Sequence, residues 1–154
     1  MIAVADGHDE VAEVLLEAGV NPNAAIKVGK TALIGAAVEG HDEVVKALLA
    51  EGVNPNAASK DGWTALMIAA SKGHGEVVKV LLTEGVNPNA ANKDGWTALM
   101  RAASKGHDEV VKALLEAGAN PNIADENGLT ALGIAKKASA DGIVRILRQA
   151  GVEE

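Results

Sequence analysis

A fixed interval of 33 residues runs through the chain: His8, His41, His74 and His107 obey it, as do Pro22, Pro55, Pro88 and Pro121 and the pair Trp63 and Trp96. Every histidine, proline and tryptophan therefore belongs to one repeating unit. A period between about 20 and 50 residues marks a stacked array, whose units are too small to bury their own apolar faces and must cover one another. The glycine–histidine pairs align as GHDEV at Gly7, Gly40 and Gly106 and as GHGEV at Gly73, and Ser139-Ala140-Asp141 falls in the same frame. Five units follow, at approximately 1–25, 26–58, 59–91, 92–124 and 125–154, the first truncated. They are expected to form one domain over residues 1–154, because such an array extends a continuous strip of core.

Residues 60–91 read most clearly. Asp61-Gly62 suits a tight turn whose glycine takes positive φ. Thr64 precedes the apolar stretch Ala65 to Ala70 as a helix N-cap would, and Gly73 is placed to end that helix. His74-Gly75-Glu76 opens a second helix, in which Glu76 faces the positive end of the dipole and Val77, Val78, Val80, Leu81 and Leu82 supply an apolar face. Gly85 ends it, and Val86-Asn87-Pro88-Asn89 follows as irregular or extended chain. The unit is turn, helix, turn, helix, loop.

In this form DGWTALMIAASKGHGEVVKVLLTEGVNPNA resembles the ankyrin repeat, with its turn, its T-P-L-H helix start, its G-H turn and its V-V-x-x-L-L second helix. The resemblance covers essentially the whole chain and implies an all-α solenoid of stacked helix-turn-helix units. Two departures stand out. The histidine that ends T-P-L-H in the family is Ile34, Met67, Met100 and Gly133 here, so apolar packing is expected to replace its hydrogen-bond network. The acidic residue that opens the family's turn is Ile26, Ser59 and Asn92, returning as Asp125, so altered turn chemistry is expected.

The ends differ. Arg148 stands where Leu115 stands one unit earlier and Lys136 where Ala103 stands, as a wet terminal cap requires. The first unit keeps the internal apolar pattern at Val11, Val14, Leu15 and Leu16, which suggests self-association through that end. Residues 60–91 and 93–124 differ at only seven aligned pairs, among them Ile68/Arg101. Such closeness points to recent duplication or an engineered, consensus-like design, and units that agree this well predict a cooperative, thermostable fold.

Composition narrows the chemistry. A formal charge of −7 disfavours nucleic acid, whose binding rests on clustered Lys and Arg. Without cysteine there is no disulfide and no thiol nucleophile. No apolar run approaches the roughly 18 to 20 residues that cross a membrane, and no signal peptide stands at the start, so the default compartment is the cytoplasm. Histidines on successive units stand roughly 10 Å apart by helix-packing distances, whereas zinc ligands lie ~2 Å from one ion. Each histidine is instead expected to hydrogen-bond the adjoining loop, and neither metal nor cofactor is expected. Pairs such as Asp42-Glu43 sit at helix starts, where the dipole accounts for them. No GxSxG, phosphate-loop or HExxH pattern occurs, and no enzymatic activity is expected.

The resemblance also implies where a partner binds. In the family, turn tips and the exposed side of the first helix form a surface that commonly recognises proteins. Carried onto this frame, the surface comprises Lys30, Trp63, Trp96 and Leu129 along one row, Lys60, Asp61, Lys93 and Asp94 at the tips, and Gly35, Ile68, Arg101 and Ile134 along the first helices. Ser71, Lys72, Ser104 and Lys105 flank them. Tryptophan and arginine are favoured hot-spot residues, and the alternative for each indole is simple packing across neighbouring turns. This side is slightly basic, so a protein partner with an acidic-rimmed apolar surface is expected. Two other readings stay open: a structural or engineered scaffold without a dedicated ligand, and an accessory fragment of a larger protein.

Overall fold

The computed structural model describes residues 32–153, and among them the chain forms helices and no strands. Lys30, the Ile26 turn and the apolar face of the first unit, with the self-association drawn from it, lie outside the described residues. The helices are α1 (Ala32–Glu39), α2 (Asp42–Ala50), α3 (Ala65–Lys72), α4 (Gly75–Thr83), α5 (Ala98–Lys105), α6 (Asp108–Glu116), α7 (Ala131–Lys137) and α8 (Asp141–Gln149). They form two layers. The first helices α1, α3, α5 and α7 pack in series, the second helices α2, α4, α6 and α8 do the same behind them, and each pair packs within its own unit. This is the all-α solenoid of helix-turn-helix units that the 33-residue period implies. None of these helices is long and apolar enough to cross a membrane.

Local chemistry starts and stops the helices where the sequence places the signals. Thr64 is extended and its Oγ1 accepts from the Met67 backbone N–H at 3.3 Å; Thr97 and Thr130 cap α5 and α7 in the same way. Such a cap contributes about 1 kcal/mol by satisfying an otherwise orphaned donor. Gly73 and Gly106 end α3 and α5 in the left-handed conformation, at φ 76° and 77°.

Packing separates the layers. In α3, Ala65, Leu66, Met67, Ala69 and Ala70 are all buried, which leaves Ile68, Ser71 and Lys72 as its outward face. Alanine makes this possible, because helices flanked on both sides need small side chains to approach closely. α4 buries one stripe, Val77, Val78 and Leu81. Ile34, Met67 and Met100 are each 1% exposed within the core, so apolar packing does occupy the place of the absent histidine. Each fully buried Leu or Met stabilises by about 1.5–3 kcal/mol. The exposed pairs on the second helices, Lys46–Glu43 at 2.6 Å, Lys79–Glu76 at 3.0 Å and Lys112–Glu109 at 2.9 Å, are screened by solvent and contribute little, so burial decides the fold. Lys136 and Arg148 are exposed on the unit 125–154.

Polar ties then set unit against unit. The His74 ring Nε2 meets Val38 O at 3.1 Å, and His107 Nε2 meets Ser71 O at the same distance. The partner is thus the end of the preceding unit's first helix rather than the adjoining loop expected from sequence. A carbonyl near a helix C-terminus lacks an intrahelical donor and supplies the natural acceptor. The Asn-Pro-Asn segments are also more ordered than the irregular chain expected of them. At 54–56 and 87–89 the first asparagine accepts from the backbone of the second, and the second accepts from the next unit: Asn87 N donates to Asn56 Oδ1 at 2.9 Å and Asn120 N to Asn89 Oδ1 at 2.7 Å.

One tie is missing. Ala140 stands in the histidine frame of the last unit, and a Cβ added at Gly106 would meet nothing within 4 Å, whereas one at Gly73 would lie 2.7 Å from the His107 ring. Gly73→Ala is therefore expected to lower stability by about 2–3 kcal/mol, from left-handed strain plus displacement of the histidine, and Gly106→Ala by about 1 kcal/mol from strain alone. Urea unfolding of the two variants measures the difference, and equal losses would show that the histidine is not held by this contact.

Candidate functional site

Three tips carry the residues of interest, and one local device shapes each. Ser59 N donates to Trp63 O at 2.8 Å, Asn92 N to Trp96 O at 3.0 Å and Asp125 N to Leu129 O at 2.9 Å, closing each tip as a short loop. The side-chain oxygen of the same residue turns back on the loop. Asn92 Oδ1 accepts from Asp94 N and Trp96 N at 3.0 and 2.9 Å, and Asp125 Oδ1 accepts from Asn127 N and Leu129 N, both at 2.9 Å. Ser59 Oγ accepts from Trp63 N at 3.2 Å. Serine, asparagine and aspartate thus serve one geometry, and the altered turn chemistry expected from their identities reduces to which oxygen sits at the same place. The Leu129 and Asn127 N–H groups hold the Asp125 carboxyl below its usual range.

Consecutive tips are laced together. Lys93 N donates to Asp61 O at 3.0 Å and Glu126 N to Asp94 O at 3.2 Å. Backbone comes so close that a Cβ on Gly62 would stand 3.0 Å from Asn92 Cα, and one on Gly95 3.0 Å from Asp125 Cα. Lys60 and Lys93 extend outward from these tips, and Lys93 Nζ lies 3.8 Å from the Asp61 carboxylate. The row of Trp63, Trp96 and Leu129 is partly buried and rests on the core.

The tips bring Trp63 and Trp96 to one cation. The Arg101 guanidinium carbon lies 4.1 Å from the centroid of the Trp63 ring and 4.3 Å from that of Trp96. Arg101 Nε is buried and has no hydrogen-bond partner. Burial lowers the guanidinium pKa, against the through-space pull of Asp94 that raises it. Cation–π attraction supplies ~0.5–1 kcal/mol at an exposed site and ~2 kcal/mol when desolvated, enough to offset much of that burial. Trp63 therefore packs across onto the arginine of the next unit, whereas Trp96 meets the same arginine within its own unit. Sequence reading places all three residues on one side but misses the sandwich, whose one signal is the Ile68/Arg101 exchange one turn inside α5.

The remaining candidates divide. Ile68 and Arg101 are partly exposed and Lys72 and Lys105 are exposed, the latter two one turn beyond them on α3 and α5. Gly35 and Ile134 are buried, so the first-helix row is not continuously exposed as expected. Isoleucine is partly exposed at 68 and 5% exposed at 134, so burial here follows the surroundings of each unit and not side-chain size. Of the seven differences between residues 60–91 and 93–124, Ile68/Arg101 is the one on a first helix; the others lie on the second helix or the loop behind it. Among the described residues no group of three or more His, Asp or Glu gathers as metal ligands would.

The family model for ankyrin repeats in three copies matches residues 1–92 and again 78–153, which spans nearly the whole chain. No curated protein sequence matches it.

Two measurements test this geometry. In a double-mutant cycle on unfolding free energy, Arg101→Ile and Trp96→Ala are expected to couple by about 0.5–2 kcal/mol; additive effects would mean that the stack contributes nothing. Asp125 titrates below its ordinary value of 3.8, so its stabilisation is complete above that value and is lost as pH falls through the depressed folded-state value. Asp125→Asn copies Asn92 and is expected to keep neutral-pH stability while flattening the acid limb below about pH 4. An unchanged acid limb in urea titrations would remove Asp125 as its source.

Proposed function

The chain belongs to the ankyrin-repeat family, and from that premise we propose that it is a non-enzymatic recognition module that grips a protein through its turn tips and the outward face of its first helices. Ankyrin repeats are generally protein-interaction modules. What supports this face over the second-helix side is the Trp63–Arg101–Trp96 cluster: it gathers the chain's two aromatic residues and the cation at which neighbouring first helices differ. Tryptophan and arginine presented together on a rigid support are the residue types that dominate interface energetics. Lys60, Lys72, Lys93 and Lys105 border the cluster, which suits a partner with an apolar surface rimmed by acid. Leu129 extends the apolar row, and by the repeat register Lys30 is its counterpart at the other end.

A scaffold without a dedicated ligand is the second reading, favoured by the identity of Lys60 with Lys93 and of Trp63 with Trp96. Filler repeats in this way, and an indole stacked on arginine already has an internal role. Affinity capture separates the two. The chain and its Trp63→Ala, Trp96→Ala, Arg101→Ala triple variant, confirmed equally helical, are offered the same protein mixture. Recognition predicts a partner retained by the parent and weakened by about 2 kcal/mol or more in the variant, with association slowed by salt. Equal retention by both would remove this face as the binding surface.

A further inference from the structure

We infer that Arg101, clasped between Trp63 and Trp96, is an anchor for a carboxylate of the partner, and that this face takes an acidic protein segment in which Asp or Glu adjoins an apolar side chain. The inference rests on the recognition reading above and narrows it to one chemistry.

Geometry carries it. The guanidinium carbon lies 4.1 and 4.3 Å from the centroids of two indole rings, and Nε is buried without a partner. The hydrogen-bonding edge that remains is that of the terminal amino groups. A planar guanidinium presents that edge as a fork matched to a carboxylate, and the flanking rings hold it in one orientation before the ligand arrives. The side-chain entropy that an exposed arginine loses on binding is here already spent on folding.

The surrounding charge has one sign along the helices. α3 and α5, ALMIAASK and ALMRAASK, contain no acidic residue. Lys105 stands four residues after Arg101 and so on the same helix face, and Lys72 holds the equivalent place beside Ile68. Asp94 acts on Arg101 through space, and the tip acid Asp61 already has Lys93 as its neighbour at 3.8 Å. An anion arriving at Arg101 therefore meets a further cation, Lys105, one helical turn away, about 6 Å, while Ile68 and the indole edges offer apolar contact. The net charge of −7 and the acids at the tips oppose a polyanion such as nucleic acid. A short acidic stretch of protein can place one or two carboxylates on the cations and keep clear of the tips.

The test pans a random dodecapeptide library displayed on phage against the full chain and, in parallel, against Arg101→Ile, which reproduces the Ile68 arrangement of the neighbouring unit and is checked for unchanged helicity. The parent is expected to recover peptides enriched in Asp or Glu beside an apolar residue. The leading peptide, synthesised, should alter tryptophan fluorescence, since both tryptophans flank Arg101. Its affinity should fall at least about tenfold with Arg101→Ile, and equally when its own glutamates become glutamines. Recovered peptides without acid enrichment, binding unchanged by Arg101→Ile, or no recovered peptide would each overturn the inference. A neutral peptide that requires both tryptophans but not Arg101 leaves the recognition face standing and removes the carboxylate.

Discussion

The structure depends on the burial of its first helices. α3 exposes only the Ile68–Ser71–Lys72 stripe, and α5 repeats the pattern. A helix so short is not stable alone, since nucleation is costly and eight residues return few hydrogen bonds. It forms because α1 and α5 cover it on either side and α4 lies behind it. The alanines at 65, 69 and 70 are what let three neighbours approach, and they leave little room for chemistry in the inner layer. What the inner layer leaves to solvent is the stripe, and beside it the tips.

That constraint explains why the fold is legible in the sequence and the site only partly so. Periodic glycines, threonine caps and apolar spacing are local signals, and each acts within a few residues of its own position, as Thr64 does on Met67. The ties between units are different. The acceptor of His74 is Val38 and that of Asn87 N is Asn56, both more than thirty residues upstream. Nothing near His74 reveals that its partner is a helix end in another unit. The meeting of Arg101 with Trp63 likewise depends on how far one tip overhangs the next helix, a quantity set by stacking. Even so, the repeat itself contains the hint, because a change confined to Ile68/Arg101 among otherwise identical first helices marks where packing had to adapt.

The tips show the converse, in which differing residues hide sameness. Ser59, Asn92 and Asp125 look like three turn chemistries, yet each places an oxygen where it accepts from the backbone of the residue four positions on. They differ in charge and in how many donors they gather, so the three tips share a shape but respond differently to acid. Trp63 and Trp96 inherit their orientation from this shared shape, which is how two equivalent indoles come to face one guanidinium.

The ties between units also bear on how such a chain grows. Each joins a residue to one roughly a unit earlier: His107 to Ser71, Asn120 to Asn89, Lys93 to Asp61. Residues 59–91 therefore carry, for the histidine and asparagine ties, both an acceptor for the following unit and a donor to the preceding one. Copying that stretch in frame brings along both halves of these two ties, and the duplicate fits on either side without any new contact having to arise. Length is for this reason a freely adjustable property of the array, while Ala140 stands at the place where the histidine tie would continue.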